Sequence, residues 1–223
     1  MDDYVTRLSA LDACAVSDAK DSLSLPPAVS DITRRTTNQT IAGKVLTVKL
    51  VCADDPAFEN SSAQKHLCTE SIQNGGPGDV IIVEQLTGID AGAWGGVLSQ
   101  AAHQQQIEGV IIDGPSRDID QAREIGFPVF ARKLTARTAR GRVRELENGG
   151  TIQVGDQTVG QGDYVIADAS GVVLISASDI ERVLQAAERI SEKENAMVNS
   201  LLSGIPAGEV MGANYEQMLT TQD

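Results

Sequence analysis

Ring side chains are nearly absent: 3 Phe, 3 Tyr and 1 Trp in 223 residues. So few rings exclude the stacking platforms on which single-stranded nucleic acids or sugars are held, and they leave the core to Val, Ile, Leu and Ala. Cysteine is almost as scarce. Cys14, Cys52 and Cys68 are an odd number without metal-ligand spacing, and they read as reduced thiols of a cytoplasmic protein. The two histidines, His66 and His103, have no Cys or acid at zinc-ligand spacing. Apolar runs stop at strand length, as at residues 80–83 and 172–175, far short of the roughly 18 to 20 residues that cross a bilayer. The start, Met1-Asp2-Asp3, lacks the apolar segment of a secretory signal. Basic residues are outnumbered 18 to 31, a net charge of −13, so a broad nucleic-acid footprint is absent and an anionic membrane would repel the chain. No Gly-x-Ser-x-Gly elbow, Walker loop or dinucleotide fingerprint occurs, nor a glycine-rich S-adenosylmethionine loop.

What is present is an ordinary globular composition, 41% hydrophobic and 22% charged, in a length that suits one domain with a helical extension. Residues 4–23 read as one or two short helices, with Ser17-Asp18 as a cap for the second and Pro26-Pro27 as the stop. Residues 41–51 alternate as a strand, and 64–73 suit a short helix. The runs at 80–83 and 110–112 are continuous and branched, as strands buried on both faces are. Helices at 97–106 and 119–125 and a strand at 128–131 complete a β–loop–α–β–loop–α–β order, the sequence form of parallel crossovers. Residues 150–176 read as a β meander with turns at Gly155-Asp156, 160–163 and 169–171. Ser178-Asp179 then caps a long helix that Gly204 stops. The expectation is a mixed α/β domain, residues 1–177, with a helical arm, 178–223.

Two loops follow the C-terminal ends of adjacent buried strands, where open α/β sheets bind ligands. The first, 87–96, is rich in glycine and opens onto a helix, so it suits either an anion held by backbone amides or a plain turn. The second carries Arg117-Asp118 directly after a strand. Arg offers a planar fork to a carboxylate and Asp a hard oxygen to a divalent cation, which together suit a small 2-keto acid; the same pair could instead cap the next helix. Glu194 falls on the inward stripe of the long helix, as a ligand, a base or a solvated helix end.

The stretches PGDVIIVE, GVIIDGPSRD and GDYVIADASGVVLI, with LDACAVSDAKDSL and IAGKVLTVK before them, resemble the RraA-like family over about residues 8–204. That family holds the regulator of ribonuclease E activity A and the divalent-metal-dependent 4-hydroxy-4-methyl-2-oxoglutarate aldolases. The resemblance implies a swivelling β/β/α-type core with a mixed sheet, assembled as a homotrimer or a dimer of trimers, with active sites between subunits and the C-terminal arm packed on a neighbour. It implies that Arg117 binds the pyruvyl carboxylate or keto oxygen and that Asp118 ligates Mg²⁺ or Mn²⁺. It gives the amides of Gly95, Gly96, Val97 and Leu98 to the substrate carboxylate, and to Glu194 a catalytic acidic role reached through water. Gly96 departs from the pattern, because the aldolases carry Asp there. Loss of such a supporting contact can cost roughly 10- to 100-fold in metal affinity or activity. The resemblance therefore implies a metal-dependent lyase that cleaves a 4-hydroxy-2-oxo acid or decarboxylates oxaloacetate, the latter surviving Gly96 better because it needs no base at a C4 hydroxyl. The other implied function is a non-catalytic regulator that binds a protein partner such as a ribonuclease.

Overall fold

Twelve residues, β2 (Ile41–Cys52), form the longest strand and organise the molecule. The computed structural model describes residues 2–56 and 66–212. Ahead of β2 come α1 (Asp3–Leu8), α2 (Ala13–Ser22) and the two-residue β1 (Thr33–Arg34). After it come α3 (Thr69–Asn74), β3 (Asp79–Glu84), α4 (Gly96–Gln104), β4 (Gly109–Ser116), α5 (Ile119–Glu124) and β5 (Val129–Leu134). The second half holds β6 (Val143–Asn148), β7 (Thr151–Val154), β8 (Gln157–Gly160), β9 (Tyr164–Ala167), β10 (Val172–Ile175), α6 (Ile180–Leu202) and α7 (Ala207–Val210).

The main sheet runs β1-β5-β4-β3-β2-β9-β10, with β6 on the far half of β2. The stretch β5-β4-β3-β2 is parallel and the rest antiparallel, so the sheet is mixed and curls around its long strand. β2 changes partner along its length: residues 41–44 pair with β9, and residues 48–52 pair with β6 across a register shift at Lys49/Leu50. The expected two-faced burial of β3 and β4 is met. Ile81, Val83, Val110 and Ile112 join a core with α4 and Phe127, while Val80, Ile82 and Ile111 face the β7–β8 hairpin. The third core packs α1, α2 and α6 on β9 and β10.

Several boundaries differ from the sequence reading. α2 starts at Ala13, because the Asp12 carboxylate accepts the Ala15 amide at 2.8 Å; Ser17 and Asp18 lie inside the helix and do not cap it. Of the helix expected at 64–73, Gln64 and Lys65 lie outside the described residues, and the helix begins at Thr69. β6 has no strand signal in the sequence: half-buried Arg144 and Glu145 and exposed Glu147 hide a strand held by backbone pairing to β2. Asp179 stands at the α6 N-cap, yet its carboxylate accepts from Ser176 Oγ at 2.7 Å and from Arg182 rather than from helix amides. The Ser176 hydroxyl and then Arg182 hold this carboxyl below its ordinary range. The first part of α6 packs into the α1/α2 core through Ile180, Val183, Leu184, Ala186, Ala187 and Ile190; beyond Ile190 no α6 side chain is buried. The Arg7 guanidinium clamps this helix through Glu188 and Glu181. Among the described residues no helix is long and apolar enough to cross a membrane.

The edge of β10 is closed by two donors. Val29 N donates to the Val172 carbonyl at 2.8 Å, and the buried Lys20 ammonium donates to the Leu174 carbonyl at 2.5 Å. An exposed edge invites pairing with another chain, and these bonds occupy it. Burial pushes the Lys20 ammonium below its ordinary 10.5. Between the lowered value and 10.5 the unfolded chain binds the extra proton, so stability rises with pH across that alkaline window. Lys20→Met should flatten the rise, read as the difference in urea midpoint between the two proteins as the pH is raised toward 10.5.

Candidate active site

At the C-terminal ends of the parallel strands, residues 92–95 lie beside the end of β4 and are bonded to it through the backbone. Ala93 N donates to the Pro115 carbonyl at 2.9 Å, Arg117 N to the Trp94 carbonyl at 2.9 Å, and Ser116 Oγ to the same carbonyl at 3.3 Å. On the other side, Gly92 N donates to the Arg137 carbonyl at 3.0 Å. Trp94 anchors the loop. Its ring is buried and stacks on Phe127 with centroids 6.2 Å apart, and its indole N–H donates to Ser99 Oγ at 2.9 Å. Burying one large ring with its polar atom satisfied fixes a segment that otherwise consists of small residues.

This frame brings the two candidate loops together. Asp118 is left-handed, φ 55° and ψ 37°, at the N-cap of α5, and its side chain caps no α5 amide. The carboxylate turns back across the sheet end and accepts Gly96 N at 3.2 Å. Arg117 Nε reaches the same carboxylate at 3.3 and 3.2 Å. The helix-capping reading of the pair is thereby set aside. A left-handed non-glycine residue costs of order 1 kcal/mol, and such residues concentrate at functional sites. Both side chains are one-third exposed and line a cleft of about 1300 Å³. Gly95, Gly96, Val97 and Leu98 line it too, and among the described residues the amides of Val97 and Leu98 have no partner. They are the first amides of α4, where a helix receives anions.

The glycines keep the space beside Arg117, Asp118 and Gln121 free of side chains. A Cβ on Gly92 would stand 2.9 Å from Arg117 Cγ, and one on Gly95 2.8 Å from Asp118 Oδ2. Gln121, which the sequence reading did not single out, places its carboxamide oxygen where a Cβ on Gly96 would go, so a larger residue at 96 requires Gln121 to swing away. Sequence offers one signal for it: Gln121 lies one α5 turn beyond Arg117-Asp118.

Glu194 is not with them. It does not line the cleft of its own chain. Burial first, then Asp12 and Asp18, raise its carboxyl above 4.5, which places it beside α2. His66 lies on the cleft wall, whereas exposed His103 sits in the last turn of α4.

Among the described residues no three His, Cys, Asp or Glu side chains converge as a metal cage. Asp118 is a single hard-oxygen donor with lone pairs to spare after its two partners. That fits Mg²⁺ or Mn²⁺, since Mg²⁺ commonly takes one or two carboxylates and completes its shell with water and substrate oxygens.

A family model described as RraA-like, Aldolase/RraA, matches residues 13–174. The chain belongs to the RraA-like family. A relative from Halalkalibacterium halodurans named "Putative 4-hydroxy-4-methyl-2-oxoglutarate aldolase" is 25% identical over 209 residues, covering 92% of this chain and 91% of that one. An uncharacterized protein from Pseudomonas syringae pv. tomato has the same fold, with a TM-score of 0.82 at 23% identity, covering 95% and 98% of the two chains. Streptomyces coelicolor RraAS2, described as an unusual member of the RNase ES inhibitor RraA family, superposes with a TM-score of 0.75 at 18% identity, covering 87% of this chain and 95% of its own. The RraA-like fold is thus shown, including the mixed sheet and the C-terminal helix.

Gly92→Ala should push the Arg117 stem aside while the sheet stays intact. A shift of about 1 Å at a positioned group can cost ~10²-fold in turnover. The expected result is a loss of at least ~10-fold in kcat/KM on the substrates named below, with an unchanged thermal midpoint.

Proposed function

We propose that this RraA-like protein is a divalent-metal-dependent carbon–carbon lyase that forms pyruvate from a 4-hydroxy-2-oxo acid, from oxaloacetate, or from both. One observation carries the reading: the Asp118 carboxylate is turned away from its own helix and held by Gly96 N and Arg117, beside two unpartnered amides. Asp118 would hold Mg²⁺ or Mn²⁺, and the bound cation would supply charge stabilisation for a 2-oxo acid's oxygens. The Val97 and Leu98 amides receive the C1 carboxylate. Arg117 faces the keto oxygen and stabilises the enolate charge that develops as the C3–C4 bond breaks. The C4 fragment leaves as a carbonyl compound in aldol cleavage or as CO2 in decarboxylation, and a proton from solvent water on C3 of the enolate gives pyruvate. Decarboxylation needs no further group, whereas aldol cleavage needs a base for the C4 hydroxyl proton.

Glu194 fills that need from a neighbouring copy. Its α6 leaves the body after Ile190 and exposes Val198, Leu201 and Leu202, while Val97 and Leu134 stand exposed near the cleft end of the sheet. A homotrimer or a dimer of trimers would cover both apolar sets and bring Glu194 to another chain's Asp118. Burial already holds the Glu194 carboxyl above its ordinary value, toward the range useful for a base.

Pyruvate release from 4-hydroxy-4-methyl-2-oxoglutarate and from oxaloacetate, each with Mg²⁺ and with EDTA, tests the proposal. Release from at least one substrate should require metal, and Arg117→Ala should abolish it. Glu194→Gln should reduce aldol cleavage at least ~10-fold and spare decarboxylation. Turnover of Arg117→Ala within about twofold of the parent would overturn the site. The other reading, a regulator that occupies a basic RNA-processing partner, is favoured by the net charge of −13. It predicts a salt-sensitive complex with such a partner and no metal-dependent release from either substrate.

A further inference from the structure

Six of the 18 basic side chains fall within residues 132–144, a segment without an acid: Arg132, Lys133, Arg137, Arg140, Arg142 and Arg144. Most are committed. Arg132 pairs with the fully buried Asp113, Lys133 and Arg137 face Asp90 at 3.8 and 3.6 Å, and Arg142 donates to the Thr138 carbonyl at 3.2 Å. Arg144 also has a partner. Arg140 is different: among the described residues no carboxylate pairs with its exposed guanidinium, and it lines the same cleft as Arg117.

Its place relative to Arg117 follows from the backbone. Gly92 touches the Arg117 stem on one side and donates its amide to the Arg137 carbonyl on the other. Arg140 is three residues beyond that carbonyl, just before β6. β6 runs antiparallel to β2 with Val143 opposite Cys52, so Arg140 lies toward the C-terminal end of β2, the end of the sheet at which Arg117 stands. The acids of the same wall are occupied or distant. Glu145 accepts the Cys68 amide at 2.5 Å, and Glu147 folds against Gly150 near the opposite end of β6.

We propose that Arg140 is a specificity-determining residue that binds a second anionic group of the substrate, so that the cleft selects 2-oxo dicarboxylates over 2-oxo monocarboxylates of equal length. The inference rests on the proposed 2-oxo-acid site and deepens it: Arg117 and the α4 amides take the C1 end, and Arg140 takes the distal carboxylate. A guanidinium–carboxylate contact that only one of two ligands can make is worth ~10- to 100-fold in affinity.

The test compares 2-oxoglutarate with 2-oxopentanoate, which differ only in the distal carboxylate, by calorimetric titration of the full chain with Mg²⁺ present. The dianion should bind the parent at least ~10-fold more tightly. Arg140→Gln should bring the two within ~3-fold by weakening 2-oxoglutarate alone, and Arg142→Gln should leave the ratio intact. An unchanged ratio in Arg140→Gln, no preference in the parent, or binding of neither ligand overturns the inference. The lyase reading fails separately. If the Arg140-dependent preference holds and neither substrate releases pyruvate, the anion subsite stands and the lyase falls; metal-dependent turnover with a ratio indifferent to Arg140 does the reverse.

Discussion

The hydrogen bond from Arg117 N to the Trp94 carbonyl joins the two segments that line the cleft, and the geometry at this end of the sheet depends on it. One segment is small and glycine-rich and has little stability of its own. The other leaves a strand buried along its whole length. Trp94, sunk against Phe127, gives the weaker segment its anchor, and the strong strand supplies the register. With the backbones zipped, the Gly96 amide can meet the Asp118 carboxylate, and Arg117 is confined between the glycines that flank it. Glycine at 92 and 95 is therefore a steric requirement: their backbones take no unusual φ, and the absent Cβ leaves room for the Arg117 and Asp118 side chains.

Charge follows the same plan. In a chain of net −13, several cations tie the sheet ends together. Asp113, fully buried within β4, binds the Arg132 guanidinium and also accepts Gly155 N at 2.6 Å, which fastens the β7–β8 turn to the sheet. Glu84, at the end of β3, faces Lys49 at 3.3 Å and accepts Gln153 N at 2.6 Å. Each buried carboxylate has a cation and a backbone donor, the condition under which such groups are tolerated. Lys20 closes the β10 edge with its ammonium. In the cleft, Arg117, Asp118 and Arg140 lie more open than these buried carboxylates.

Much of the fold was legible because its signals are local. Continuous Val and Ile runs mark β3 and β4, glycine marks the turns of the second half, and the apolar stripe of α6 marks the long helix. What escaped is non-local. β6 carries half-buried and exposed charged side chains, and only its pairing with β2 makes it a strand. The start of α2 was displaced because Ser17-Asp18 and Asp12 are equally good caps on paper, and tertiary packing of Ala13 and Ala15 chooses Asp12. Arg117 and Asp118 stood out by type and position, yet only the left-handed turn at Asp118 shows that the carboxylate abandons α5. Glu194 stood out by helical spacing, but spacing does not say which chain's site it serves. Its own surroundings are Asp12 and Asp18 of α2.

The central claim is that one carboxylate, Asp118, and the adjoining α4 amides form a metal and 2-oxo-acid site. A crystal structure of the protein with Mn²⁺ and oxalate, read by anomalous scattering, tests it most directly. The account predicts one Mn²⁺ peak at bonding distance from Asp118, with oxalate against Arg117 and the amides of Val97 and Leu98. Mn²⁺ bound elsewhere, or oxalate seated away from Arg117 with Asp118 still held by Gly96, would contradict it.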